Sequence, residues 1–192
     1  MNTSTSAWLS ARGIRKSFAG IEILHGVDFD LQPGSVHALV GHNGAGKSTL
    51  IKVLAGMYPD HVGEVLVHGS PVRLGSPKDA AAAGISVIHQ EFALVPGFTA
   101  AENIALGREP EGPRGVVRHT QIEDDAVALL ESYGLSIPMG IPVGRLSVAH
   151  QQLTEIAKAL SREARILVMD EPTARLAPAE RQALFAVTRK LA

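Results

Sequence analysis

The chain is 192 residues long, 45% hydrophobic and 19% charged, a composition typical of a globular domain with one buried core. Its formal charge of −1 and its lack of a long basic run argue against a nucleic-acid partner. It has no cysteine for disulfides or thiolate metal sites, and neither a signal-peptide pattern at Met1–Ser6 nor a membrane-length apolar run, so a cytoplasmic location is expected.

The first part of the chain predicts three short strands followed by a helix. The strand segments carry apolar and β-branched residues and are separated by glycine and proline turns: Leu9–Ile14, Val27–Leu31 and Val36–Val40. From Lys47 the apolar residues recur at helical spacing, and Gly56 is the predicted stop. A strand, a glycine-rich loop and a helix therefore follow one another here.

The remainder of the chain alternates strands and helices. Further strands are predicted at Gly63–Val67, Ser86–Ile88 and Ile166–Met169. Helices are predicted at Pro77–Ala83, Thr99–Leu106, Gln121–Tyr133, Ser147–Ser161 and Pro178–Leu191, and a loop at Gly107–Gly115. This alternation favours an α/β sheet, parallel at least near the glycine-rich loop, with ligands beyond the carboxyl ends of its strands.

The glycine-rich loop Gly41–Ser48 matches the phosphate-binding pattern G-x-x-x-x-G-K-[ST]. Its glycines allow backbone N–H groups to curl around phosphate oxygens, and the helix N-terminus adds partial positive charge. Lys47 is predicted to reach the outer phosphates and Ser48 to ligate magnesium. The alternative, a plain glycine-rich turn, is disfavoured by the predicted strand before the loop and the predicted helix after it.

Two adjacent carboxylates follow the apolar strand Ile166–Met169. P-loop enzymes hold magnesium with an aspartate in this position, so Asp170 is the predicted metal ligand. Glu171 is predicted to point to the other side and to orient or deprotonate an attacking water. The alternative is a pair of solvated residues at the end of a strand.

These motifs resemble, in order and spacing, those of ABC transporter ATPases. The resemblance covers the chain from about Leu9, and its main segments are Gly41–Ser48, Gln90, Leu146–His150 and Asp170–Thr173. A closer likeness to ATPases of bacterial sugar importers is carried by Ser86–Glu91, Ala101–Ile104 and Ile156–Leu160.

The resemblance implies a P-loop NTPase fold in which a RecA-like core sheet carries an antiparallel β subdomain and an inserted helical subdomain. The chain would be one nucleotide-binding domain over residues 1–192, incomplete at its C-terminus. Its ATP-binding core would comprise residues 7–90 and 162–192, and its helical signature subdomain residues 91–161.

The resemblance also implies roles for single residues. Phe18 would stack on the adenine ring, with a plain core phenylalanine as the alternative. Gln90 would act in catalysis and contact magnesium or the attacking water, and Ser147 would meet the γ-phosphate of ATP bound on an opposing domain. The loop residues implied to contact ATP are Gly41, His42, Asn43, Gly44, Ala45, Gly46, Lys47, Ser48 and Thr49.

The chain departs from the family pattern in three places. The usual signature Leu-Ser-Gly-Gly-Gln agrees only at its first two positions, and Val148–His150 replaces the rest, which leaves an efficient and a weakened signature both open. The histidine that holds the γ-phosphate in the family, after the next strand, is not in this sequence. Ala177 stands where many members have aspartate.

The implied function is a magnesium-dependent ATPase that pairs head to tail with a second nucleotide-binding domain or a fused second half. It would sit at the inner face of the membrane on permease subunits, take its solute from a binding protein, and energise uptake of a monosaccharide such as ribose, xylose or galactose. The alternative is a nucleotide-binding module without ATPase activity. A GTPase motif and the heptads of a chromosome-structure ATPase are both missing.

Overall fold

The computed structural model describes residues 7–112, 115–174 and 176–192. The strands are Leu9–Phe18 (β1), Ile21–Leu31 (β2), Val62–Val67 (β3), Ser70–Val72 (β4), Ile85–Ile88 (β5) and Ile166–Met169 (β6). The α-helices are Lys47–Leu54 (α1), Pro77–Ala82 (α2), Ala100–Ala105 (α3), His119–Ser132 (α4), Val148–Leu160 (α5) and Pro178–Leu191 (α6). The predicted tail Met1–Ser6 and two residues of the predicted loop, 113–114, lie outside the described residues.

Strands β1 to β4 form an antiparallel sheet in the order β2-β1-β3-β4. Strands β1 and β2 are joined by two residues, Ala19 and Gly20, whose φ angles of 48° and 82° are both positive. Tight hairpins favour this backbone because its twist matches that of the flanking strands. The hairpin extends both strands beyond the predicted segments, and Gly26 lies inside β2 and does not separate two strands.

Strands β5 and β6 form a two-stranded sheet. The Ile166 amide donates to the Gly84 carbonyl at 3.0 Å, and the Asp170 amide donates to the Ile88 carbonyl at 3.0 Å. The pairing advances along both strands in the same direction, so the pair is parallel, as predicted for this fold class. Both strands deliver their next residues, His89 and Asp170, at the same edge.

The chain divides into two compact units. Of the described residues, the first unit comprises 7–87, 165–168 and 192, and the second comprises 88–112, 115–164, 169–174 and 176–191. One buried cluster joins the antiparallel sheet to α1, with members that include Leu9, Ile14, Leu24, Val53 and Leu74. A second cluster is formed by α3, α4 and α5, with members that include Ala101, Ile104, Ile122, Leu130 and Ala157.

The predicted helices are confirmed with ends shifted by at most two residues, because their caps are encoded locally. Ser76 caps α2, and Thr99 forms a capping box with Glu102 at the start of α3. Helix α1 ends just before Gly56, whose φ of 70° is the left-handed conformation that terminates helices. None of the helices in the described parts of the chain is long and apolar enough to cross a membrane.

The strand predicted at Val36–Val40 is wrong for this structure, which has irregular backbone from Ser35 to His42. The segment is apolar, yet Val40 is 90% exposed. A β-strand exists only when a neighbour accepts and donates its backbone hydrogen bonds. No strand among the described residues pairs with this segment, so its β-propensity is not expressed.

Candidate functional site

The loop Gly41–Ser48 is built from backbone conformations that glycine permits. Gly44 and Gly46 have φ angles of 82° and 87°, and the Ala45 amide donates to the His42 carbonyl at 3.1 Å. Gly46 directly precedes α1 and makes no side-chain cap bond. The first N–H groups of α1 therefore have no side chain competing for them, which is the condition for binding an anion there.

Gly46 is also fixed by its surroundings. A Cβ at this position would lie 2.8 Å from Leu24 Cδ2 and 3.2 Å from the Ile23 carbonyl oxygen. Both neighbours belong to β2, so the antiparallel sheet supports the back of the loop. The glycine is required both by its positive φ and by this close approach.

Lys47 is the cation of the loop. Its Nζ donates to the carbonyls of Gly41 at 2.8 Å and of His42 at 3.0 Å. The ammonium thus bridges the first two residues of the loop to the start of α1. Since a carbonyl is a weaker partner than a phosphate oxygen, an arriving phosphate can take over these donors.

Phe18 ends β1 and is 39% exposed, outside the buried cluster of its unit. Its ring meets Tyr58 edge-on with centroids 5.1 Å apart, and Lys16 Nζ lies 4.8 Å from its centroid. Lys16 is buried and pairs with Asp60 at 2.5 Å, which lowers the pKa of that carboxyl. Tyr58 and Lys16 carry no sequence motif and were not predicted; the adenine contact of Phe18 remains a prediction.

The residues after β5 and β6 bring two predicted catalytic side chains together. Gln90 and Glu171 line one small cleft, and both are exposed. Glu171 has a φ of 47°, which is uncommon for a residue with a side chain, and its carbonyl accepts a hydrogen bond from the Ala174 amide at 3.1 Å. Asp170 is half-buried at the end of β6.

The segment that follows Gln90 is tied to α5 by two side chains one turn apart. Glu155 accepts a hydrogen bond from the Ala93 amide at 2.6 Å, and Lys158 donates to the Ala93 carbonyl at 2.9 Å. Glu155 is only 8% exposed, and burial raises the pKa of its carboxyl against the opposing effect of Lys158. These two contacts, here called the clamp, were not predicted from the sequence, because the apolar stripe of α5 lies on the opposite face of the helix from Glu155.

A buried asparagine holds the next part of the same segment. Asn103 in α3 is 0% exposed, accepts a hydrogen bond from the Val95 amide at 2.8 Å, and donates to the Val95 and Thr99 carbonyls at 3.1 and 3.0 Å. Its amide thus substitutes for a strand partner. In the sequence, Asn103 belongs to the segment Ala101–Ile104 that carries the likeness to sugar-importer ATPases, but nothing in the sequence predicted its burial or its hydrogen bonds.

Ser147, the first residue of the predicted helix, is the N-cap of α5. Its Oγ accepts a hydrogen bond from the His150 amide at 3.3 Å and lies 3.2 Å from His150 Nδ1. His150 therefore contacts the cap hydroxyl, where a glutamate or glutamine would reach the backbone N–H of Ser147 to complete a capping box. Ser147 itself is exposed, which leaves the start of α5 open to a partner.

Comparison with known proteins identifies the family. The family model described as ABC transporter matches residues 24–174. The putative ribose/galactose/methyl galactoside import ATP-binding protein 1 of Rhizobium meliloti is 53% identical over 183 residues, which are 95% of this chain and 36% of that protein. A ribose import ATP-binding protein of Geobacillus kaustophilus is 51% identical over 180 residues, 93% of this chain and 36% of that protein.

Solved structures agree on the fold. An ATP-binding cassette of an ABC transporter in its ADP conformation superposes with a TM-score of 0.82 at 29% identity, over 96% of this chain and 76% of that one. A nucleotide-free ATP-binding cassette superposes with the same TM-score at 27% identity, over 96% and 77%. The chain spans about a third of the length of the curated relatives it matches. The predicted fold class is confirmed, and the chain belongs to the ABC transporter family.

Proposed function

We propose that this chain binds ATP at Gly41–Thr49 and that the complete protein hydrolyses it to drive solute uptake. The observation that carries the proposal is the geometry of the loop: positive φ angles at two glycines, an uncapped start of α1, and Lys47 bridging the loop. A helix N-terminus and a fixed ammonium in one short loop favour a polyphosphate.

Magnesium fits the donors that we assign to it. Ser48, Asp170 and Gln90 offer a hydroxyl, a carboxylate and an amide oxygen, the hard ligands that this ion prefers. A bound ion supplies charge neutralisation at the β- and γ-phosphates. Lys47 adds a second positive charge there, and Glu171 orients the attacking water and accepts its proton.

A complete site in this proposal uses two nucleotide-binding domains. Ser147 caps α5 at an exposed position, and its hydroxyl with the helix N-terminus would meet the γ-phosphate of ATP held by the opposing domain. Residues 91–161 would act as the helical signature subdomain and residues 7–90 and 162–192 as the ATP-binding core. The partner domain is a second copy or a fused second half.

The names of the relatives support our proposal for the solute and the membrane partners. Several relatives with 45–53% identity carry names that specify import of ribose, or of ribose and galactose. We assign this chain to import of a monosaccharide, peripheral to the inner face of the membrane on permease subunits, with a solute-binding protein upstream. Transport of labelled ribose, xylose and galactose into vesicles that carry the complete transporter decides among these sugars.

The substitution Glu171→Gln tests the catalytic assignment in the complete protein. ATP affinity measured by calorimetry is expected to stay within about twofold, and phosphate release is expected to fall about 100-fold or more. Glu123→Gln, an exposed residue of α4, is the matched control and should change neither quantity. Unchanged turnover in Glu171→Gln refutes its role, and tight binding without turnover in the wild type supports a nucleotide-binding module instead.

A further inference from the structure

Gln152 has a buried amide nitrogen for which the described parts of the chain offer no acceptor, and it lies beside the proposed catalytic residues. It lies in α5, is 4% exposed, and its Nε2 has no hydrogen-bond acceptor within the described ranges. The adjacent Gln151 differs, since its Nε2 donates to the Leu146 carbonyl at 3.0 Å. A buried donor without an acceptor is unfavourable and rare in native proteins, so the Gln152 amide calls for an explanation.

The same side chain lines the small cleft that Gln90 and Glu171 line. The cleft leaves about 10 Å³ for the centre of a water-sized sphere, which is about the room that one water molecule needs. A buried water needs two to four polar partners. Gln152 Nε2 supplies a donor, and the Glu171 carboxylate and the Gln90 amide oxygen supply acceptors.

The backbone conformation of Glu171 also has to be held by residues outside its own loop. Its φ of 47° lies in the left-handed region, where a residue with a side chain persists only when its surroundings hold it. Such outliers concentrate at functional sites because they aim a side chain in a direction that relaxed backbone does not allow. A fixed polar partner in the cleft would hold the carboxylate in that direction.

We propose that Gln152 is a positioning residue: its Nε2 binds one ordered water in the cleft, and that water donates to the Glu171 carboxylate. The inference rests on the proposed role of Glu171 in hydrolysis. Gln152 touches neither ATP nor the attacking water, and it acts by fixing the orientation of the base. Because α5 begins at Ser147, the water also links the signature helix to the catalytic loop.

A high-resolution crystal structure of the complete protein with a non-hydrolysable ATP analogue tests the water directly. The expected result is one ordered water within hydrogen-bond distance of both Gln152 Nε2 and a Glu171 carboxylate oxygen. A dry cleft, or Gln152 Nε2 bonded to a protein carbonyl, overturns the inference. This readout does not depend on turnover, so its failure is distinguishable from a failure of the proposed hydrolysis.

Kinetics separate positioning from a purely structural role. Gln152→Met keeps the length of the side chain and removes the donor, so kcat should fall about 10-fold while KM for ATP stays within about twofold. Gln152→Asn keeps an amide and should recover part of kcat, and Gln151→Met is the matched control expected to keep it. Unchanged kcat in Gln152→Met, or a parallel loss of kcat, ATP affinity and thermal stability, refutes the inference; an inactive wild type refutes the proposed function instead.

Discussion

The hydrogen bond from the Ala93 amide to Glu155 allows a test that separates two contributions to stability, that of the Glu155 charge and that of the hydrogen bond itself. Glu155→Ala removes the acceptor of a 2.6 Å bond and leaves the Ala93 amide without it. The loss of a hydrogen bond to a charged group costs about 1.5–3 kcal/mol. Glu155→Gln keeps one acceptor oxygen at the same distance from the backbone and replaces the other oxygen with an uncharged NH2 group.

The pH dependence of the free energy of unfolding shows whether the charge of Glu155 stabilises or destabilises the folded chain. Burial raises the pKa of Glu155 in the folded chain above its ordinary value of 4.5, so the folded state binds the proton more tightly than the unfolded state. The contribution to stability is therefore fully present below pH 4.5 and is lost as pH rises through the raised pKa. Glu155→Gln does not titrate, so it should match the wild type in acid and be as stable or more stable at pH 7.

Urea unfolding of the chain, followed by circular dichroism at several pH values, measures these differences. Glu123→Gln, exposed on α4, is the control and should stay within about 0.5 kcal/mol of the wild type at every pH. If Glu155→Gln loses as much stability at pH 7 as Glu155→Ala, the carboxylate is favourable as a charge and the argument from burial fails.

Two further substitutions test close packing and buried polarity. Gly56→Ala places a Cβ 2.2 Å from the Ser76 carbonyl oxygen at a φ of 70°, so unfolding in urea should show a loss of more than about 1 kcal/mol; a neutral result would show that this turn relaxes freely. Asn103→Ala removes one acceptor and an NH2 group whose two hydrogens face the Val95, Phe98 and Thr99 carbonyls, at a site with 0% exposure. The loss should be about 2–4 kcal/mol. Amide hydrogen exchange should then rise in the segment that follows Gln90, and unchanged protection there would contradict the role assigned to Asn103.

The sequence by itself determined the features whose cause is local. Helical spacing of apolar residues predicted the helices and Gly56 predicted the end of α1, because periodicity and stop signals act within a few turns of the chain. The structure adds that Ser76, Thr99 and Ser147 cap α2, α3 and α5 through bonds within the first helical turn. The pattern of Gly41–Ser48 is local in the same way, since its glycines and Lys47 lie within eight residues; its contact with phosphate stays a prediction.

Only the tertiary structure decided the features that need a distant partner. Val36–Val40 has the composition of a strand, but no strand among the described residues pairs with it, and strand pairing is not encoded in the segment itself. Likewise, the burial and the contacts of Glu155, Asn103 and Gln152 could not be predicted from the helices that contain them. The fold packs the segment after Gln90 against Glu155 and Asn103, and it places Gln152 in the same cleft as Glu171. Whether a buried polar group has a hydrogen-bond partner depends on such distant neighbours, which the local sequence does not specify.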